Sequence, residues 1–196
     1  MATKRIKFIS IEEFEKIYKA EPDKIMKLCI LLGFGSGLRI SEIIGYQRKS
    51  KRRKDKTTGE IKFIPDESSI PSLTASMIDL PAHQIRLEDG KGKKWRTTIT
   101  PPALTEPMLK LLPIKIPRRT LQYNFVKLSK RVLGKQLSFH SLRHGFGNYM
   151  VNVLELPMPM VQGYMGHTRL DTTGIYTKAN PEQAIQTAWK RMMGNK

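Results

Sequence analysis

Arg39, Lys91, the pair His140 and Arg143, then His167 and Tyr176 follow one another along the chain, so two arginines, a lysine and two histidines accompany one phenol. Such a set suits attack on a phosphodiester without a metal ion. A phosphodiester repels nucleophiles by its negative charge, and the transition state concentrates still more charge on the non-bridging oxygens, so something cationic must bind them. Arginine does this well, because its planar fork bonds two oxygens at once and keeps its charge. The alternative, two metal ions held by carboxylates, is poorly supported: between Phe139 and Tyr176 the only acids are Glu155 and Asp171. A phenol with a reference pKa near 10 also needs a neighbouring positive charge or base before it attacks at neutral pH. His140 and Arg143, three apart on an expected helix, share a face and can approach one substrate group. His140 and His144 stand four apart, a zinc-compatible spacing, but the HExxH pattern is absent and neither metal nor other cofactor is expected.

Five short segments carry a resemblance to a known family: Gly37-Leu38-Arg39-Ile40-Ser41-Glu42, Gly90-Lys91-Gly92-Lys93, His140-Ser141-Leu142-Arg143-His144, Met165-Gly166-His167-Thr168, and Asp171-Thr172-Thr173-Gly174-Ile175-Tyr176. In order and spacing the chain resembles the catalytic domain of the tyrosine recombinase, or phage integrase, family. The resemblance implies a site-specific DNA recombinase that cleaves and rejoins strands through a 3′-phosphotyrosyl intermediate, without metal or ATP. Arg39 and Arg143 would clamp the scissile phosphate, while His140 and His167 would hydrogen-bond it and manage the tyrosine proton. Lys91 would protonate the departing 5′-hydroxyl, Glu42 would orient its cationic neighbours, and Tyr176 would attack. Lys93 and Lys94 lie near the same turn and could also reach the substrate; Lys91 is favoured because it falls between two glycines, as in the family pattern. Double-stranded DNA is the implied partner, with a homo-tetramer on DNA and a monomer or weak oligomer when free. Two other readings are a type IB topoisomerase-like enzyme, against which His140 speaks because that group usually has lysine there, and a DNA-binding module that has lost catalysis.

Composition agrees with a polyanionic partner. The chain of 196 residues carries 35 Lys+Arg against 17 Asp+Glu, a formal charge of +18, which favours nucleic acid through counterion release. With 39% apolar residues it can nevertheless bury a core. From Arg48 to Lys56, seven of nine residues are basic: Arg48, Lys49, Lys51, Arg52, Arg53, Lys54 and Lys56. With Lys93 and Lys94, these are candidates to track DNA phosphates. Cys29 is the only cysteine and lies in an apolar run, so no intrachain disulfide forms and a reducing compartment fits. Signal-peptide and membrane-spanning patterns are absent, so the expected location is the cytoplasm of a prokaryote or of a virus-infected cell.

The elements that must position these residues read as mostly α with a small antiparallel sheet (α+β). Ser10 and Glu13 form a capping-box pattern that starts a helix near Ile11. Ile25, Leu28, Cys29 and Leu32 mark a second helix, which the glycines at 33, 35 and 37 should end. A short helix should span Arg39 to Tyr46, followed by a basic loop over about 47–72. The segments His83 to Leu87 and Trp95 to Thr100 read as a hairpin around Asp89-Gly90-Lys91-Gly92. Helices are then expected at 103–112, 121–133, 140–154 and 159–165, with Tyr176 in a short turn and a C-terminal helix at about 181–193. Its stripe of Ile185, Ala188, Trp189 and Met192 suits either its own core or a neighbouring protomer. One catalytic domain is expected over 1–196. Typical family members carry a separate helical domain before it, for which these residues leave no room, so either an excised domain or a minimal enzyme is expected.

Overall fold

The computed structural model describes residues 8–46, 51–54, 59–64, 69–89, 94–166 and 181–194. Helix α1 (Ile11–Ala20) starts on the expected capping box: the Ser10 hydroxyl accepts from the Glu13 N–H and the Glu13 carboxylate accepts from the Ser10 N–H, both at 3.3 Å. Asp23 opens α2 (Lys24–Gly35) by accepting from the Met26 N–H at 2.6 Å. From Leu28 to Gly35 every residue of α2 is buried, so the helix runs through the interior rather than along it. The helix ends at Gly35, within the expected run of glycines, while Gly33 lies inside it, and both let neighbours approach the helix. A Cβ on Gly33 would lie 3.1 Å from Phe139 and Leu142, and one on Gly35 only 2.4 Å from Pro101. The reversal comes at Gly37, whose φ of +64° suits glycine and whose Cβ would strike the Phe146 ring at 2.4 Å.

Arg39 stands at the N-cap of α3 (Ile40–Ile44). Beyond it, Tyr46 and Ile70 form an antiparallel bridge, closing the base of the segment expected as a loop. That expectation is corrected in part: β1 (Lys51–Lys54) and β2 (Ile61–Ile64) pair antiparallel, with Lys51 opposite Ile64 and Lys54 opposite Ile61. Four consecutive basic residues show no apolar alternation, so a pattern reading cannot see a strand that its backbone ladder forms.

A second sheet has the order β3-β4-β5, from β3 (Ile78–Asp79), β4 (Gln84–Asp89) and β5 (Lys94–Ile99), all antiparallel. β4 and β5 are the expected hairpin, with Leu87 opposite Arg96 and Ile85 opposite Thr98. The expected helix over 103–112 shrinks to one turn, α4 (Glu106–Leu109). Pro113 and Pro117 follow closely, and residues before proline avoid the helical region. The longer α5 (Arg118–Leu133), α6 (His140–Asn152), α7 (Met158–Met165) and α8 (Pro181–Met192) match their expected spans closely.

The larger core gathers α1, α2, α5 and the start of α6 with Ile78, Ile85 and Leu87 of the sheet. A second cluster joins Ile99 to Phe146, Met150, Val161 and Met165, and receives Ile185 and Ala188 of α8. Trp189 stacks on His83, with ring centroids 3.5 Å apart and planes within 6°. Arg191 donates from Nη1 to the Leu154 carbonyl at 2.7 Å. In the single chain, α8 therefore covers its own β5 and α6–α7 corner. Cys29 is buried with its thiol pushed up to about 12 by burial and by Asp23, which leaves it an inert core residue. The architecture is mostly α with a small antiparallel sheet. Among the described residues no helix is long and apolar enough to cross a membrane.

Candidate active site

The end of α7 gathers the site. Its last three carbonyls, those of Tyr164, Met165 and Gly166, each accept from a different arginine brought by a different element. Arg96 on β5 donates from Nη1 to Tyr164 O, Arg143 on α6 donates from Nη2 to Met165 O, and Arg39 before α3 lies 3.5 Å by Nη2 from Gly166 O. A helix C-terminus presents unpaired carbonyls and the negative end of its dipole, so cations collect there for a physical reason. Gly166 ends the helix at φ +61°, and a Cβ on it would meet the Arg96 side chain at 2.5 Å.

Among the described residues, Glu42 is the one carboxylate in the cluster. Oε1 accepts from Arg39 Nη1 at 2.8 Å, while Oε2 accepts from the Arg39 backbone N–H at 2.6 Å and from Arg96 Nη2 at 2.7 Å. Burial pushes its carboxyl up, but the charge and hydrogen bond of Arg96, with the backbone N–H and charge of Arg39, outweigh this and hold it below the usual carboxylate range. Glu42 is therefore ionised at neutral pH. Three guanidiniums and one carboxylate, +3 against −1, leave the cluster at +2.

That surplus is concentrated on Arg143. It is only 1% exposed, and its Nη1 donates to Gly37 O at 2.5 Å. Burial first, then the charges of Arg39 and Arg96, push its guanidinium down to about 9, still protonated at neutral pH. An anion placed among these groups would relieve both penalties. Arg39 is the more accessible arm, with 35% of its side chain exposed.

His140 is exposed at the first position of α6, and its ring meets that of His144 edge-on with centroids 4.5 Å apart. Burial and the Arg143 charge lower the His144 pKa. The structure thus brings Arg39, Glu42 and Arg143 together and sets His140 on the helix that carries Arg143. Lys91, Lys93, His167, Tyr176, Arg48, Lys49 and Lys56 lie outside the described residues. Lys51, Arg52, Arg53 and Lys54 form β1, and Lys94 begins β5.

Arg96 is the residue that sequence reasoning missed. Hydropathy suggests that Trp95 points inward and Arg96 outward, yet Trp95 is 64% exposed and the Arg96 side chain only 10%. The available signal was register: Leu87 is a core residue, and a residue directly opposite it on β5 must share its face.

Comparison with known proteins supplies the family. The model of the phage integrase family matches residues 67–183, more than half of the chain. The tyrosine recombinase XerA of Thermococcus kodakarensis is 25% identical over 191 residues, covering 90% of this chain and 59% of that protein. Among solved structures, the integrase from mycobacterium phage Brujita superposes with a TM-score of 0.62 at 18% identity, covering 100% of this chain and 64% of that one. The XerH site-specific recombinase bound to its difH substrate gives 0.50 at 19%, covering 93% of this chain and 51% of that one. At such identities the superpositions speak for fold alone, and the chain spans less than two thirds of the length of each of these proteins. The matched segment and the shared fold lead to one conclusion: this chain belongs to the phage integrase family.

Proposed function

We propose that this chain cleaves and rejoins DNA strands as the catalytic part of a site-specific tyrosine recombinase. The Tyr176 oxygen attacks the scissile phosphorus, the P–O5′ bond breaks, and a 3′-phosphotyrosyl bond forms. His140 or His167 accepts the phenolic proton, while Lys91 gives a proton to the departing 5′-oxygen. Arg39 and Arg143 bind the non-bridging oxygens. Because the phosphotyrosyl bond conserves the energy of the bond it replaces, the reverse attack by a 5′-hydroxyl rejoins strands without ATP or metal. The observation that carries this reading is the arginine cluster, which holds a net +2 in a largely dehydrated setting. Concentrated positive charge of this kind is what a phosphoryl transition state requires.

Double-stranded DNA is the proposed partner, with four copies assembling on it and a monomer or weak oligomer in free solution. The relative solved on a difH substrate supports DNA by analogy. The decisive experiment incubates the protein with a supercoiled plasmid carrying its candidate attachment site, without divalent metal, and looks for covalent protein–DNA adducts and strand exchange. Relaxation without exchange would favour the topoisomerase-like reading, and binding without any adduct would leave only a DNA-binding module.

The basic hairpin has a separable role. Its β1 strand is Lys51-Arg52-Arg53-Lys54, in the segment between the bridged Tyr46 and Ile70, with Arg48, Lys49 and Lys56 in the same insertion. If these cations track phosphates, replacing Lys51, Arg52, Arg53 and Lys54 together by Gln weakens binding to all sequences alike. It also flattens the dependence of log affinity on log salt by about one unit for each phosphate that is no longer neutralised. An unchanged slope in a salt titration removes the hairpin from the interface.

A further inference from the structure

We propose that Arg96 is a positioning residue that locks β5, the strand that follows Lys91 in the chain, onto the phosphate-binding arginines. The inference rests on the function proposed above. Arg96 lies two residues past the start of β5 and five after Lys91 in the chain, so it fixes the beginning of the strand that follows the proposed proton donor. Its two ends hold different partners: Nη2 lies 2.7 Å from Glu42 Oε2, and Nη1 donates to Tyr164 O. Glu42 in turn accepts from both the backbone and the side chain of Arg39. One guanidinium thereby ties together β5, the N-cap of α3, and the end of α7 that leads directly into His167.

Three features distinguish this from an ordinary surface ion pair. The Arg96 and Glu42 side chains are 10% and 8% exposed, so the pair is shielded from solvent. The Arg96 side chain packs directly against the Gly166 backbone, its Cδ 2.5 Å from where a Cβ would stand. The inward side of β5 carries Arg96 where an apolar residue opposite Leu87 would pack more cheaply, which a merely structural strand has no reason to forgo. Both ends of Arg96 are engaged by protein groups, so it acts by sharing Glu42 with Arg39 and by holding β5, the strand that follows Lys91 in the chain. Displacements of about 1 Å between reacting groups cost on the order of 10²-fold in rate.

The test uses two matched duplexes of an attachment site that the wild-type chain cleaves, one with the normal 5′-oxygen at the scissile phosphate and one with sulfur there. A thiolate departs without a proton, so it bypasses the lysine. The Arg96→Met variant is expected to cleave the oxygen duplex about 10²-fold more slowly than wild type, and to recover most of that loss on the sulfur duplex. Arg96→Lys keeps a cation beside Glu42 but cannot serve both partners. It is expected to lose less and to show the same recovery, and it decides the matter if Arg96→Met does not fold. Either folded variant cleaving the oxygen duplex within threefold of wild type, or losing equally on both duplexes, overturns the tether while leaving the parent function standing. A wild-type chain that forms no adduct with either duplex overturns the parent reading, and the tether with it.

Discussion

Replacing Tyr176 by Phe is expected to end covalent attachment to DNA outright while leaving duplex binding within a few-fold. The substitution removes one oxygen and no charge at neutral pH, so it subtracts the proposed nucleophile and little else. A neutral phenol attacks poorly, and a field of positive charge favours phenolate; under the proposed mechanism the +2 arginine cluster would supply that field. No adduct should form by another route, since the arginines bind and polarise a phosphate without supplying an oxygen. A duplex labelled at the 5′ end of the scissile strand, denatured after incubation, reports the 3′-phosphotyrosyl adduct as a retarded band. Its persistence in Tyr176→Phe would transfer the nucleophile to another residue. Nicked DNA without attached protein would show that water attacks instead.

Much of the scaffold was legible because its signals are local. The Ser10 and Glu13 box starts α1 where expected, the apolar stripe of α2 marks that helix, and α5 and α6 lie within a few residues of their expected spans. Errors arose where tertiary contact overrides local meaning. Gly33 reads as a terminator but lies inside α2, at a point where Phe139 and Leu142 press against a buried helix. The strand Lys51–Lys54 has a composition that argues for solvent, and only pairing with Ile61–Ile64 makes it regular. The candidate site divides in the same way. Arg39, Glu42 and Arg143 lie in short motifs that a family resemblance exposes, and the structure brings these three into one network. Arg96 lies outside such a motif. Its importance follows from a buried carboxylate 54 positions earlier in the chain that needs a second cation, a relation visible only once β5 is paired with β4 and α7. Likewise, nothing in one dimension says that three arginines will share three successive carbonyls.

The second large effect belongs to Arg143. Arg143→Ala is expected to slow strand cleavage by about 10²- to 10³-fold, equivalent to about 3 to 4 kcal/mol of lost transition-state stabilisation, with DNA binding retained. Two contributions to folding oppose one another. The substitution strips Gly37 O and Met165 O of their partners, and each buried carbonyl left unpaired costs about 1–3 kcal/mol. It also removes a guanidinium whose charge is penalised by burial and by Arg39 and Arg96, which returns part of that cost. The unfolding midpoint should therefore fall by less than the loss of two hydrogen bonds alone implies. A cleavage loss far larger than the stability change separates a role in the reaction from one in folding. Arg143→Lys sharpens the assignment: it keeps a positive charge, but its single nitrogen cannot span Gly37 O, Met165 O and a phosphate oxygen as the planar fork can. Its rate should lie between those of wild type and Arg143→Ala. Single-turnover cleavage measured beside binding on the same duplex separates these effects. Cleavage by a folded Arg143→Ala within threefold of wild type would show that this buried arginine serves the fold and not the phosphate.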